Sequence, residues 1–285
     1  MAYPRAIALA EVNWSPRESR NWENFVSRLV INLKRLDFKN VNYSKSAFGV
    51  EIGIKKDETT GKLKAELKSD LPGAAIQYSC SDKKGASSPK IFNSPVEINS
   101  VTTIKAWLDN KSGGPLKITE RKIWFNEAFG IQPLINTLYD HHYQANGAVS
   151  LTDGLRGDAN SLINDWLGFL GENVDLIIDL GSLKDIQNVS IGLLHNPGNW
   201  IFMPSAVDIK LSEDGINFFD SEGIAPDIIT PSEPRAILYS VVNIQKKARY
   251  IHIIAKNIGD CPKGHPGEGN KAWLFVDEVL VNTEL

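Results

Sequence analysis

The sequence predicts a mainly β chain, with two β-sandwich domains preceded by a short helical segment. Three observations carry this. The 285 residues exceed what one domain of roughly 100 to 200 residues uses. Residues 1–45 have apolar positions at helical spacing, and everything after them reads as short strands between turn signals.

In the helical segment, Pro4 opens Arg5-Ala-Ile-Ala-Leu-Ala-Glu-Val-Asn-Trp14, a first helix. Ser15-Pro16-Arg17-Glu18 then supplies a capping residue and a first-turn proline for a second one. Trp22, Phe25, Val26, Leu29, Leu33 and Leu36 line one face of that second helix. Two short helices cannot bury those faces alone. From Phe48, the runs Gly49–Ile54, Leu63–Leu67, Ala75–Tyr78 and Val101–Trp107 predict a β-sandwich over 46–126. Residues 127–145, helical or irregular, carry Tyr139, His141, His142 and Tyr143 and read as a link between domains. Strand signals return at Asp175–Asp179, Val189–Leu194, Val207–Leu211, Ala236–Val242, Tyr250–Ala255 and Phe275–Val281, giving a second, larger sandwich over 127–285.

Composition narrows the function classes. The 31 Lys plus Arg against 34 Asp plus Glu give a net charge of -3. That is too balanced to condense on a polyanion by releasing counterions, so no nucleic-acid partner is expected. No apolar run approaches membrane-spanning length, so no membrane insertion is expected either. Cys80 and Cys261 stand too far apart in sequence to suggest a disulfide framework or a zinc site. No Ser-His-Asp or Cys-His order presents itself, and no glycine loop precedes a Lys-Ser or Lys-Thr pair.

Several stretches carry a family resemblance. Tyr3-Pro-Arg-Ala-Ile-Ala-Leu-Ala-Glu-Val-Asn-Trp-Ser-Pro16, with Trp22, Phe25, Arg28-Leu29 and Val41-Asn42-Tyr43, resembles the end of a family-20 glycoside hydrolase barrel, as in chitobiases and β-N-acetylhexosaminidases. Gly73–Tyr78, Ser88-Pro89, Phe92, Pro95-Val96 and Thr103-Ile-Lys-Ala106 resemble the immunoglobulin-like C-terminal domain of chitobiases; Cys80-Ser-Asp-Lys83 replaces the usual Thr-Asp-Gly turn. Leu151-Thr-Asp-Gly154, Trp166, Ile178-Asp-Leu-Gly181, Pro204, Leu211-Ser-Glu-Asp-Gly215 and Leu274-Phe-Val-Asp-Glu278 resemble a discoidin-like jelly roll, the coagulation-factor 5/8 type C fold. The resemblance therefore implies a TIM-barrel remnant over 1–45 and two sandwiches.

The resemblance also identifies an omission. Family-20 enzymes use an adjacent Asp and Glu in a His-x-Gly-Gly-Asp-Glu run, the Glu donating a proton while the Asp orients the substrate acetamide. No such run is present; the adjacent acidic pairs are Asp57-Glu58, in a polar turn, and Asp277-Glu278, late in the chain. A barrel needs on the order of 250 residues, whereas only residues 1–45 precede the β-domains, so the chain alone is expected to be inactive. The resemblance then implies the non-catalytic part of a periplasmic or extracellular hexosaminidase. Its partners are the missing barrel and glycans or terminal sugars. Domains that only brace the barrel or an oligomer are the alternative.

Two candidate sites follow. In Leu151-Thr-Asp-Gly-Leu-Arg-Gly-Asp158, glycines bend the backbone beside two carboxylates, a donor set suited to calcium. By resemblance to discoidin-like domains, a structural calcium would sit between this loop and a C-terminal Glu. The ligands would be Asp153, Asp158 and Glu278, with carbonyls near Ser150 and Leu155. The loops Leu194–Pro204 and Asn257–Trp273 collect glycine, proline, histidine and tryptophan. A sugar needs an aromatic platform for its C–H face beside polar donors and acceptors, which nominates His195, Asn196, Trp200, His265 and Trp273. Trp166, Trp124 and His252 read as core or sheet residues. His141 and His142, being adjacent, point apart on a strand and cannot share an ion on a helix face.

Overall fold

A computed structural model describes residues 2–44, 49–57, 59–60, 62–71, 74–108, 117–220 and 233–284. The chain divides into two compact units, Met1–Arg121 and Lys122–Leu285.

The first unit opens with α1 (Arg5–Trp14) and α2 (Trp22–Phe38). α1 buries none of its residues, whereas α2 buries Phe25, Val26, Leu29 and Leu33 at the predicted spacing. Trp22 stays 60% exposed. The cap differs from the expectation. Pro16 leads into a single 3-10 turn at Arg17–Ser19, and it is Asn21 whose side chain accepts the Asn24 N–H at 2.9 Å to start α2. Neither helix is long and apolar enough to cross a membrane.

Among the described residues eight strands follow: β1 (Glu51–Lys56), β2 (Leu63–Lys68), β3 (Ile76–Asp82), β4 (Gly85–Ala86), β5 (Lys90–Ile91), β6 (Val96–Ile98), β7 (Thr102–Leu108) and β8 (Ile118–Ile123). They form two sheets, β1-β2-β6 and β4-β3-β7-β8, with β5 added to β3. Alternation along β2 and β7 buries Leu63, Ala65 and Leu67 on one sheet and Ile104, Ala106 and Leu108 on the other, the pattern of sheets with one wet face.

The second unit contains β9 (Leu134–Ile135), β10 (Leu167–Leu170), β11 (Val174–His195), β12 (Ala206–Ser212), β13 (Phe219–Asp220), β14 (Arg235–Lys256) and β15 (Trp273–Val281). β11 and β14 are each 22 residues long and bend midway. The bends fall where Gly181, Asn243 and Gln245 take positive φ and the register shifts between Asp179 and Lys184. Their paired halves thus serve two layers. Val174–Asp179 joins β9 and the second half of β14, which pairs with β12, while Asn188–His195 joins β15 and the first half of β14. A jelly-roll-like sandwich results, with Leu176, Ile178, Ile191, Leu193, Ile251, Ile253, Val276 and Val279 in one continuous core. Residues 127–145, expected to link domains, belong to this unit, and Ala128 packs in its core.

Candidate functional site

The loop after β11 is built from its backbone outward. Asn196 exchanges main-chain hydrogen bonds with Ile201 (2.9 and 3.1 Å). Pro197–Asn199 makes one 3-10 turn inside that closure, and Trp200 adopts φ 63, ψ 22. That left-handed conformation is uncommon for a non-glycine residue, and it turns the indole to the surface, 37% exposed. The loop is then zipped to the start of β15: Trp273 N–H donates to the Trp200 carbonyl (2.8 Å) and Phe202 N–H to the Trp273 carbonyl (3.0 Å). Beneath it, Trp166, Leu194, Ile201 and Phe275 form a separate small apolar cluster, with Tyr143 and Trp273 against it.

The second loop, between β14 and β15, closes over the first. Gly267 N–H donates to His265 Nδ1 (3.0 Å). This leaves Nε2 as the protonated nitrogen that donates to the Pro197 carbonyl (3.0 Å). Gly267 lies flat on the tryptophan, since a Cβ there would come within 2.7 Å of Trp200 Cε2.

The five nominated sugar residues therefore do different work. Trp200 presents the open aromatic surface. His195 and Asn196 are each only 5% exposed, because β11 runs through His195 and pairs it with Arg235. They lie below the surface instead of facing a ligand. His265 has both ring nitrogens engaged, Nδ1 within its own loop and Nε2 tying it to the first. Trp273 is half-buried, edge-on to Tyr143 (5.1 Å) and Phe275 (5.6 Å). Asn199, exposed and adjacent to Trp200, is a polar neighbour that the sequence reading passed over; its place beside the tryptophan in a Pro-Gly-Asn turn was the available signal.

The calcium expectation divides similarly. Glu278 is fully buried on β15. One oxygen, Oε2, accepts the Gly154 N–H at 3.1 Å, while Oε1 is buried with no hydrogen-bond partner among the described residues. Burial, then the neighbouring carboxylates of Asp153 and Asp277, push its pKa well above the usual range. Two neighbouring carboxyls, one with a buried oxygen that accepts no hydrogen bond among the described residues, suit a divalent cation. Gly154 takes φ +75, and a Cβ there would come within 2.9 Å of the Phe129 ring, so the position needs glycine. Asp158 stands apart from this arrangement. It is exposed, its Oδ1 accepts from Asn160 N and Nδ2, and its carbonyl takes the Trp166 indole N–H.

Asp277 and Glu278 are both buried and offer no accessible acid couple. Asp277 is buried, with Oδ2 held by Arg156 Nε (2.6 Å) and Gly157 N (2.7 Å). Burial outweighs Arg156 and raises its pKa. Asp57 is held below the usual range by Lys64 and the Thr60 N–H, and Glu58 lies outside the described residues. Both cysteines are free thiols whose pKa burial raises. Trp166 is a core residue, and His252 bonds Asp175 within the sheet (2.9 Å).

His141 and His142 depart from the expectation. Residues 141–142 form a turn, neither strand nor helix, and their rings lie 3.7 Å apart between centroids.

No protein-family model matches the sequence. Among solved structures the chain is similar to a fucose binding module of Streptococcus pneumoniae, at 14% identity and TM-score 0.36, over 56% of this chain and 99% of that one. A Clostridium perfringens module, CpGH89CBM32-4, in complex with glcNAc-alpha-1,4-galactose, aligns at 13% identity and TM-score 0.35, over 55% and 93%. The C-terminal domain of a Bacteroides fragilis chitobiase aligns at 19% identity and TM-score 0.33, over 54% and 95%.

Proposed function

We propose that the second unit is a non-catalytic carbohydrate-binding module, and that in its parent protein it holds a glycosidase on N-acetylhexosamine-containing glycans. The observation that carries this reading is the Trp200 indole. A large aromatic face is held open to solvent at a loop tip by a left-handed backbone, a glycine packed on it and a histidine buckle. A rigid platform of this kind takes the apolar C–H face of a sugar at little entropic cost, while Asn199 supplies polar contact at its rim.

A calcium ion would serve this module as a structural brace. Asp153 and Glu278 would hold it, with the Ser150 and Leu155 carbonyls completing the set. The ion would neutralise the buried Glu278 carboxylate and fix the 153–158 loop against β15. It takes no part in bond cleavage.

Titration of the full chain with N-acetylglucosamine, galactose and their disaccharides tests the binding reading. Saturable millimolar binding is expected for so small and open a surface. Trp200→Ala should weaken it about fivefold or more, since a stacked aromatic contributes on the order of 1 kcal/mol beyond area, with the circular dichroism of the fold retained. Equal binding by wild type and variant would sink the assignment, and absence of any sugar response would favour a bracing role.

A further inference from the structure

The geometry points to a transition-metal site at Asp140, His141 and His142, on the turn that precedes β10. Among the described residues this is the one group of three or more potential ligand side chains whose donor atoms lie within 4.8 Å of one another. Asp140 Oδ1 stands 2.9 Å from His142 Nδ1 and 3.7 Å from His141 Nδ1. Ligands bonded at about 2.1 Å to one ion are separated by about 3.0 Å in octahedral and about 3.4 Å in tetrahedral geometry. The two separations bracket those values, so an ion can enter with small ring rotations.

The turn is held in this form by Asp140 Oδ1, which accepts the His142 N–H (2.8 Å), and by contacts that leave the donor atoms free. Asp140 N–H donates to the Gly168 carbonyl (2.8 Å), Tyr143 N–H to the Asp140 carbonyl (3.1 Å), and Gly168 N–H to the Tyr143 carbonyl (2.9 Å). Tyr139 packs edge-on to Phe169 (6.3 Å), and Tyr143 against Trp273 and Phe275. Such preorganisation reduces the ordering cost of ligation. Two imidazoles and one carboxylate favour zinc, copper(II) or nickel(II) over calcium, which takes oxygen ligands. The histidine side chains are 79% and 70% exposed, leaving the remaining coordination positions to water or an incoming donor. The other histidines compete poorly: His195 is buried, His252 is bonded to Asp175, and His265 has both ring nitrogens engaged.

Calorimetric titration of the full chain with zinc chloride, in excess calcium, should show one ion bound per chain in the micromolar range. Removing both imidazoles (H141A/H142A) should weaken it by more than about tenfold. Asp140→Asn, which keeps an oxygen for the His142 N–H, should weaken it while leaving the melting temperature without metal unchanged. Electron paramagnetic resonance of the copper(II) form should show two coordinated nitrogens in wild type and one in His142→Ala. Unaltered zinc affinity in the double variant, a nitrogen count insensitive to His142, or no saturable zinc binding by wild type would overturn the site.

Discussion

Glu278→Gln separates the two consequences of burying that carboxyl. In the wild-type chain the group is sealed from solvent, neighbours Asp153, and leaves Oε1 without a hydrogen-bond partner among the described residues. Without calcium near neutral pH, the folded unit must keep a proton there or bury a charge, and both oppose folding. Glutamine removes that cost, keeps an oxygen for the Gly154 N–H and offers its amide to Asp153. The variant without calcium should therefore melt no lower than wild type. With calcium the order should reverse. At one hundred times its dissociation constant a ligand stabilises by about 2.7 kcal/mol, and 1 kcal/mol moves the midpoint of a domain this size by about 2–4 °C. Wild type should gain about 5–10 °C and the variant close to nothing. Differential scanning fluorimetry with calcium and with chelator reads both arms. A variant that keeps the calcium gain, or a wild type whose midpoint ignores calcium, refutes the argument.

The calcium gain should also depend on pH. A carboxyl whose folded pKa is raised stays protonated in the fold while the unfolded chain ionises, so chelated protein should lose stability as pH rises above the unperturbed 4.5. Calcium needs the carboxylate, so its stabilisation should grow over the same window; a pH-independent calcium shift between acid and neutral buffers would contradict this. Arg156→Met should destabilise the second unit by about 3–5 kcal/mol in urea melts by stranding the buried Asp277, and a loss below about 1 kcal/mol would show the pair to be dispensable. His265→Ala removes one hydrogen bond between the loops and one within its own loop; it should cost about 1–3 kcal/mol while weakening sugar binding. Unimpaired binding would mean that the buckle does not orient Trp200.

Much of the architecture is legible because burial leaves a periodic trace. The 3.6-residue spacing of Phe25, Val26, Leu29 and Leu33 marks the inner face of α2, and alternation marks β2 and β7. The cap is harder to place, since Ser15-Pro16 and Asn21 both satisfy the same chemical rule and only the intervening 3-10 turn decides between them. β11 and β14 each read as two strands because Gly181, Asn243 and Gln245 look like breaks; tertiary pairing carries the chain through them. Site residues are less legible. Residue type nominates His195 and Asn196, but one further step of the strand register takes them below the surface. Asp158 shares its composition with Asp153, and only the fold shows that its oxygen is committed to Asn160. The paired histidines escape notice when judged by helix and strand periods, because a turn obeys neither.

The shared strands have a mechanical corollary. Since β11 and β14 each pass from one layer of the sandwich into the other, neither layer owns a complete set of edges, and peeling one open strips hydrogen bonds from both. The second unit should therefore melt as a single cooperative block, with amides at Leu176 and Ile191 exchanging through the same global event. A tug applied to the second unit would meet that entire block at once.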